Sequence, residues 1–319
     1  YKFWEWTQGV GLFGLWKLFE KTKDEKYLSM LTSYYDQRIE FGLPGKNVNT
    51  MAPILALSYL AEYTGSKKYM EVADEWTKWL FEGGLDRTPE GGFQHRTTDD
   101  VNEGELWDDT LMMSVLPLAN MGRILGRDDY KEESEYQLLL HIEHLADPIT
   151  GLWYHGYSFK RNDHFSGAYW GRGNSWATIA LPLFDEILSL KPSLRRYVST
   201  VLTRQVDAVA KLQDKSGLWH TLLDHDDEGS YLESSCTAGF GYGILKGINM
   251  GLLDPKYKET AEKALPALLD CIDDNGILQK CSYGTPMGRE TQDFYREIPI
   301  HPMPYGQAMA MLFLMEALD

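Results

Sequence analysis

The phrase TGLWYHG at residues 150–156 recurs in close variants along the chain, and the interval between its copies indicates the fold. The variants are EGGFQHR (90–96), SGLWHTL (216–222) and NGILQKC (275–281). The intervals are 59, 66 and 59 residues, measured between Gly92, Gly151, Gly217 and Gly276. Self-similarity at such a period is the signature of a repeat architecture.

Each interval contains two kinds of helical pattern. Residues 67–84 carry apolar side chains at three- and four-residue spacing with charges between them, which is typical of a helix with one wet face. Residues 49–65 are apolar on nearly all sides, which predicts a buried helix. About eleven such helices alternate along the chain, beginning with residues 1–20. Alternating β-branched runs are nearly absent, so the sequence predicts an all-α protein.

This alternation predicts six helical hairpins closed into a ring, an (α/α)6 toroid, as a single domain over residues 1–319. An open solenoid is the alternative, but its repeats are shorter, at about 34 to 47 residues. Inner helices that are apolar all round also favour a closed ring. In such a ring the inner helices begin at one common rim, so the residues that open them would line a shared cavity.

Composition limits the class of partner. The 319 residues carry a formal net charge of −16, which repels nucleic acid and anionic membranes. No apolar run approaches the roughly 18 residues that span a bilayer. The three cysteines are odd in number and form no CxxC pair, so they indicate neither a disulfide framework nor a zinc ribbon. We therefore expect a small-molecule substrate, with neither nucleic acid nor membrane as a partner.

The compartment and the oligomeric state stay open at this point. The chain begins at Tyr1 and not at Met, so we expect that an N-terminal segment has been trimmed. Both a cytoplasmic and a periplasmic location fit the composition. Both a monomer and a small homo-oligomer fit the repeat.

Polar and aromatic residues open the helices that are otherwise apolar. The stretch YWGRGNSW (169–176) places Arg172 between Trp170 and Trp176 at the start of such a helix. Flat rings beside carboxyl groups suit a carbohydrate, and a guanidinium pairs with a carboxylate such as that of a uronic acid. Ordinary helix capping is the alternative for the Asn, Asp and Ser positions. The candidates at the rim and in the repeated loops are Asn47, Asn49, His95, Trp107, Asp108, Asp109, His155, Trp170, Arg172, Trp176, Trp219 and Glu233.

Five phrases in order resemble those of glycoside hydrolase family 105. They are LWDDTLMMSVLPLA (106–119), GLWYHGY (151–157), YWGRGNSW (169–176), SGLWHTLLD (216–224) and YLESS (231–235). These enzymes are the unsaturated rhamnogalacturonyl hydrolases, and they are related to the unsaturated glucuronyl hydrolases of family 88. The resemblance runs from about residue 3 to the C-terminus. It implies an (α/α)6 barrel, in agreement with the repeat.

The resemblance also implies a reaction and a set of roles. A carboxylic acid protonates C4 of a 4,5-unsaturated uronic acid, water adds at C5, and the hemiketal opens to release the neighbouring sugar. The acid falls on Asp109, with Asp108 as its nearest rival. Neither a cofactor nor a metal is implied. The implied substrate contacts are Arg172 with the carboxylate or a hydroxyl, His95 and His155 as pocket histidines, and Trp170 and Trp176 as stacking rings.

One departure from the family pattern concerns a second aspartate. The family carries this acid at the start of an earlier inner helix, whereas GKNVNTMAP (45–53) has no acid at that place. Asn47 or Asn49 then supplies a hydrogen-bonding group instead.

Three alternatives remain open from the sequence. The first is a conventional glycosidase or a sugar epimerase on the same toroid, which uses Asp109 with Glu233 or a pair of histidines. The second is a non-catalytic glycan-binding or scaffold protein. The third is a zinc toroid that uses Cys236, His220 and Asp224. The sequence also leaves the sugar on the leaving side of the bond undefined.

Overall fold

The computed structural model describes residues 3–227 and 229–318, and this part of the chain is mostly helical. Six helices form an inner layer: α1 (Trp6–Thr22), α3 (Val48–Thr64), α5 (Leu116–Leu125), α7 (Gly171–Leu188), α9 (Ser234–Asn249) and α12 (Pro304–Glu316). Five helices lie outside them in the described ranges: α2 (Glu25–Phe41), α4 (Lys67–Phe81), α6 (Asp128–Leu145), α8 (Pro192–Lys211) and α10 (Lys258–Leu269). Shorter segments are a π-helical turn (Leu111–Val115), a 3-10 turn (Pro255–Tyr257) and α11 (Asp293–Arg296).

The inner helices close a ring. Each packs against the next in the order α1, α3, α5, α7, α9 and α12, and α12 packs back against α1. The outer helices α2, α4, α6, α8 and α10 each pack on the inner helix that precedes them in the chain. The prediction of an (α/α)6 barrel is therefore confirmed.

Burial explains why the inner helices are apolar on every side. Residues 50–61 of α3 are buried without exception, whereas α4 buries only one side. Inner neighbours also approach closely: a Cβ added to Gly243 of α9 would lie 2.4 Å from the Thr178 carbonyl oxygen of α7. Small residues in the inner layer thus let two helix backbones come into contact.

The last three copies of the repeated phrase tie their loop to the next inner helix. The glycine of these copies has a positive φ, which favours glycine, with values of 83° at Gly151, 97° at Gly217 and 78° at Gly276. Two residues later a buried backbone N–H donates to a polar side chain near the start of the following inner helix. The pairs are Trp153–Asn174 (2.7 Å), Trp219–Thr237 (3.2 Å) and Leu278–Gln307 (2.9 Å).

Two small two-stranded antiparallel sheets lie at the rim where the inner helices begin. Strand β1 (Glu105–Trp107) pairs with β2 (Gly156–Ser158), and β3 (Trp219–His220) pairs with β4 (Leu232–Glu233). Strand β1 ends directly before Asp108 and Asp109, so the first sheet fixes the position of these two residues at the rim. Across the described ranges, no helix has both the length and the apolar character needed to cross a membrane.

Candidate active site

A cavity of about 520 Å³ opens at the rim where the inner helices begin. Its size falls within the range of small-molecule sites. Residues from the first turns of α1, α3 and α7, from the segment before α5, and from the loop at 284–289 form its walls. Six of the predicted site residues line it: Asn49, His95, Trp107, Asp109, Trp170 and Arg172. The ring thus brings together side chains that are up to 123 positions apart in the sequence.

Asp109 is held by a chain of hydrogen bonds. Its Oδ2 lies 3.1 Å from Nε2 of His155, and Nδ1 of His155 lies 2.6 Å from the hydroxyl of Tyr295 in α11. His155 is buried behind Asp109 and does not belong to the cavity wall. Its ring therefore orients the carboxyl group and acts on a ligand only through it.

The pKa values of the two adjacent carboxyl groups, Asp108 and Asp109, are shifted in opposite directions. Burial acts to raise the pKa of Asp109, but the hydrogen bond and the charge of His155 outweigh burial and hold that pKa below its usual value. Burial, and then the charge of Asp109, raise the pKa of Asp108 well above its usual value. Asp109 therefore favours its ionised form, and Asp108 favours its neutral form.

His95 and Trp107 form a stacked pair in the cavity wall. Their ring centroids are 4.1 Å apart with an interplanar angle of 8°. Nδ1 of His95 lies 2.8 Å from the Thr110 hydroxyl, and burial lowers the pKa of this histidine to about 3. His95 is therefore neutral at pH 7, so it can hydrogen-bond a ligand without adding charge to the cavity.

Arg172 is a buried cation at the start of α7, with 1% of its surface exposed. Nη1 donates to the carbonyl and the hydroxyl of Ser282, and Nη2 donates to the Tyr283 carbonyl. The guanidinium also lies 4.4 Å from the centre of the Trp170 ring. Nε has no partner among the described residues. Arg172 thus fixes the loop at 282–283 and places a cationic group in the cavity wall.

Besides His155, three predicted substrate contacts do not line the cavity. Asn47 does not line the cavity, because it caps α3: its side chain accepts from the N–H groups of Asn49 and Thr50 at 2.9 and 3.0 Å. The capping interpretation thus applies to Asn47, while Asn49 faces the cavity.

Trp176, predicted as a substrate-stacking ring, and Trp219, predicted as a substrate-binding residue, are both completely buried in the core. Trp176 lies beyond the first turn of α7 and packs edge-to-face on Trp6. Trp219 donates through its indole N–H to the Val209 carbonyl at 2.8 Å. It occupies the repeat position that anchors each loop to the core, where Trp153 stands in the preceding copy.

The second carboxyl of a conventional glycosidase pair is not in the cavity either. Glu233 is buried and caps α9: it accepts from the N–H groups of Ser235 and Cys236, and from that of Ser282 in the neighbouring loop. These bonds occupy both carboxylate oxygens. Glu233 is therefore a structural cap and not a partner of Asp109 across a glycosidic bond.

A zinc site on Cys236 also lacks support. In residues 3–227 and 229–318, one group of three acidic or histidine side chains has its polar atoms within 4.8 Å of one another, and it consists of Asp108, Asp109 and His155. A hydrogen bond already joins Asp109 to His155. This geometry supports an acid with its hydrogen-bond donor, and Cys236 is not part of it.

Sequence reasoning missed several residues of the site. The most prominent are Glu5 and Trp6 at the start of α1, and Met287 and Arg289 in the loop at 284–289. Glu5 and Trp6 lie at the start of an inner helix, as the predicted site residues do, so the same sequence pattern could have identified them. The loop carries no helical period, and only the folded ring shows that it reaches the cavity.

Comparisons with known proteins agree with this geometry. The family model "Glycosyl Hydrolase Family 88" matches residues 1–319. The unsaturated rhamnogalacturonyl hydrolase YesR of Bacillus subtilis (strain 168) is 33% identical over 318 residues, which are 99% of this chain and 90% of that protein. An unsaturated 3S-rhamnoglycuronyl hydrolase of Alteromonas sp. (strain LOR) is 24% identical over 288 residues, which are 85% of this chain and 68% of that protein.

A solved structure gives the same result at the level of the fold. The crystal structure of "a possible member of GH105 family" from Salmonella enterica subsp. enterica serovar Paratyphi A superimposes with a TM-score of 0.96 and is 48% identical. The match covers 99% of this chain and 83% of that one. The resemblance to family 105 is thereby confirmed, and the chain belongs to the glycoside hydrolases of family 88 and its relative, family 105.

Proposed function

We propose that this enzyme removes a 4,5-unsaturated uronic acid from the non-reducing end of oligosaccharides that polysaccharide lyases generate. It does so by hydrating the vinyl ether double bond. The names of the relatives support this substrate class, since they are unsaturated rhamnogalacturonyl and unsaturated 3S-rhamnoglycuronyl hydrolases. We assign the activity to residues 1–319 as one catalytic domain, in keeping with the extent of the family match.

The observation that carries this proposal is the placement of Asp109. Its carboxyl group enters the same cavity as the buried Arg172, while Glu233 is engaged as a helix cap. Hydration of a vinyl ether needs one proton donor, whereas a conventional glycosidase needs two carboxyl groups across the bond. Asp109 and Arg172 together match an acid that works beside a carboxylate-bearing sugar.

The steps follow from these positions. Asp109 in its protonated form gives its proton to C4, and water adds to C5, so that the double bond becomes a C–H bond and a C–OH bond. The carboxylate of Asp109 takes the proton back from the added water. The positive charge of Arg172 in the cavity wall attracts the carboxylate of the substrate, while Asn49 and the neutral His95 bind hydroxyl groups. The hemiketal at C5 then opens and frees the leaving sugar.

We expect the purified enzyme to bleach the ultraviolet band of the double bond when it is given unsaturated disaccharides made by lyases. The band disappears because hydration removes the conjugation between the double bond and the carboxylate. A matched disaccharide with a saturated uronic acid serves as the control and should not be cleaved. If the enzyme cleaved the saturated glycoside and left the band of the unsaturated disaccharide unchanged, it would instead be a conventional glycosidase.

The charge around the cavity bears on the leaving sugar. Glu5, Asp99 and Asp100 lie in the wall formed by α1 and the loop before β1, together with the ring of Trp6. In the ring of inner helices, α1 stands opposite α7, which carries Arg172. A uronate at the Arg172 side would therefore place its leaving sugar beside three carboxyl groups and an aromatic ring. Such a surface accepts hydroxyl hydrogen bonds and repels sulfate.

We expect an unsaturated uronyl disaccharide with an unsulfated rhamnose to be hydrolysed with a kcat/KM about tenfold higher than its sulfated counterpart. Raising the salt concentration should reduce this difference in kcat/KM, because exposed charges are screened. Replacing both aspartates (Asp99→Asn with Asp100→Asn) should also reduce the difference in kcat/KM between the two substrates. Equal rates for the two substrates at low salt would contradict an electrostatic selection at this wall.

A further inference from the structure

Asp108 is a buried carboxyl group that the mechanism above does not use. It is completely buried, and its oxygens face the side chain and the backbone N–H of Asp109 without a hydrogen bond of good geometry to any described residue. Burying a polar group without a partner is unfavourable, and native proteins retain very few such groups. Its persistence beside Asp109 therefore calls for a role.

The fold makes room for this carboxyl group. A Cβ added to Gly173 would lie 2.4 Å from Oδ2 of Asp108, so the second glycine of the W-G-R-G-N phrase leaves the space that the carboxyl group occupies. The polar side-chain atoms of Asp108, Asp109 and His155 also lie within 4.8 Å of one another. The close packing of α7 on the segment before α5 thus keeps the two carboxyl groups together.

The surroundings of Asp108 favour its neutral form. The ionisable groups that face it are Asp109 next in the chain, His155 before β2, Arg172 at the start of α7 and Tyr295 in α11. The backbone N–H of Asp109 and the charge of Arg172 favour a negative charge there, but two nitrogens of Arg172 are already bonded to Ser282 and Tyr283. Burial and the charge of Asp109 prevail over this attraction.

The resting state thus poses a problem for catalysis. Asp109 must be protonated to act on C4, yet its hydrogen bond from His155 stabilises the ionised form. Solvent would protonate an isolated carboxylate of this kind only in acid. A neighbouring group that retains a proton at neutral pH solves the problem.

We propose that Asp108 is a positioning residue that stores the proton which Asp109 delivers, so that the two carboxyl groups share one proton. The proton passes from Asp108 to Asp109 and then to C4, which leaves both groups ionised for an instant. Water that adds to C5 loses one proton to the pair, and this step restores the starting state. No proton is gained or lost over the cycle. The role rests on the proposed hydration reaction.

Asp108→Asn tests this role, because it keeps the shape of the side chain and removes the proton store. In the wild-type enzyme the shared proton is lost only at high pH, as two interacting sites titrate as a pair. In the variant Asp109 titrates alone. We expect the alkaline limb of kcat/KM for an unsaturated disaccharide to move to lower pH by about one unit or more. At pH 7 this shift lowers kcat/KM by about tenfold or more, whereas the rate recovers towards that of the wild type in acid.

The matched control is Asp274→Asn, which makes the same side-chain replacement at an exposed position outside the cavity. Its pH profile should coincide with that of the wild type. An Asp108→Asn enzyme that folds and keeps the wild-type alkaline limb overturns the proposal. A uniform loss of activity at every pH also overturns it, because a merely structural role would have that effect.

Two measurements without substrate separate this proposal from the proposed function. The folded wild-type chain keeps a carboxyl proton that the unfolded chain loses above about pH 4, so its stability falls as the pH rises relative to Asp108→Asn. If the variant does not fold, infrared spectroscopy of the wild type at pH 7 should show the carbonyl band of a protonated carboxyl group. Absence of that band overturns the proposal, whereas an enzyme that shows the band but consumes no unsaturated uronide contradicts the reaction alone.

Discussion

Asp109→Asn should lower kcat for an unsaturated disaccharide by about 10³-fold, with little change in KM. The amide cannot give a proton to C4, but it retains the size of the carboxyl group and can still bond to His155. Substrate therefore still enters the cavity and meets Arg172, while the chemical step fails. Steady-state kinetics that follow the ultraviolet band of the double bond measure both parameters.

The control for this prediction is again Asp274→Asn, which should keep the wild-type kcat. Circular dichroism and the melting temperature should show that Asp109→Asn is folded. Full turnover by Asp109→Asn would assign the acid to another group, and Asp108 would be the first to examine. A large rise in KM with an unchanged kcat would make Asp109 a binding residue.

Arg172→Met should lower kcat/KM by about 100-fold and also destabilise the protein. Methionine fills a similar volume, but it leaves the Ser282 and Tyr283 carbonyls without their donor. The loop that continues to 284–289 forms one wall of the cavity, and a displacement of about 1 Å in a wall can cost about 100-fold in rate. Loss of the buried hydrogen bonds should lower the free energy of unfolding by about 2 kcal/mol.

Tyr305→Phe separates the two roles of Arg172. The Tyr305 hydroxyl also donates to the Ser282 carbonyl, so its removal weakens the same loop while the cation remains. We expect this variant to lose less than about tenfold in kcat/KM. Equal losses in Tyr305→Phe and Arg172→Met would show that Arg172 acts only by holding the loop and not on the substrate.

The repeat was sufficient to predict the ring, because a period of about 60 residues and all-round apolar helices have few packing solutions. The same logic correctly placed Asp109 and Arg172 at one rim, since the inner helices all begin there. It failed for Trp219, where the repeated Gly-Leu-Trp phrase was interpreted as a binding loop. That position points into the core because its backbone N–H must reach Thr237 of α9.

Residue type and spacing by themselves determined the helical ring and the common rim, because these depend on local periodicity and on burial. The choice of Asp109 over Asp108 came from the resemblance to the family. Only the tertiary structure decided which polar side chains face the cavity and which serve as caps. Asn47 and Glu233 have the residue types of a binding site, yet their oxygens are bonded to the helices that they open. Only packing between distant segments, which no local pattern encodes, left Asp108 buried beside Asp109 without a hydrogen bond of good geometry to any described residue.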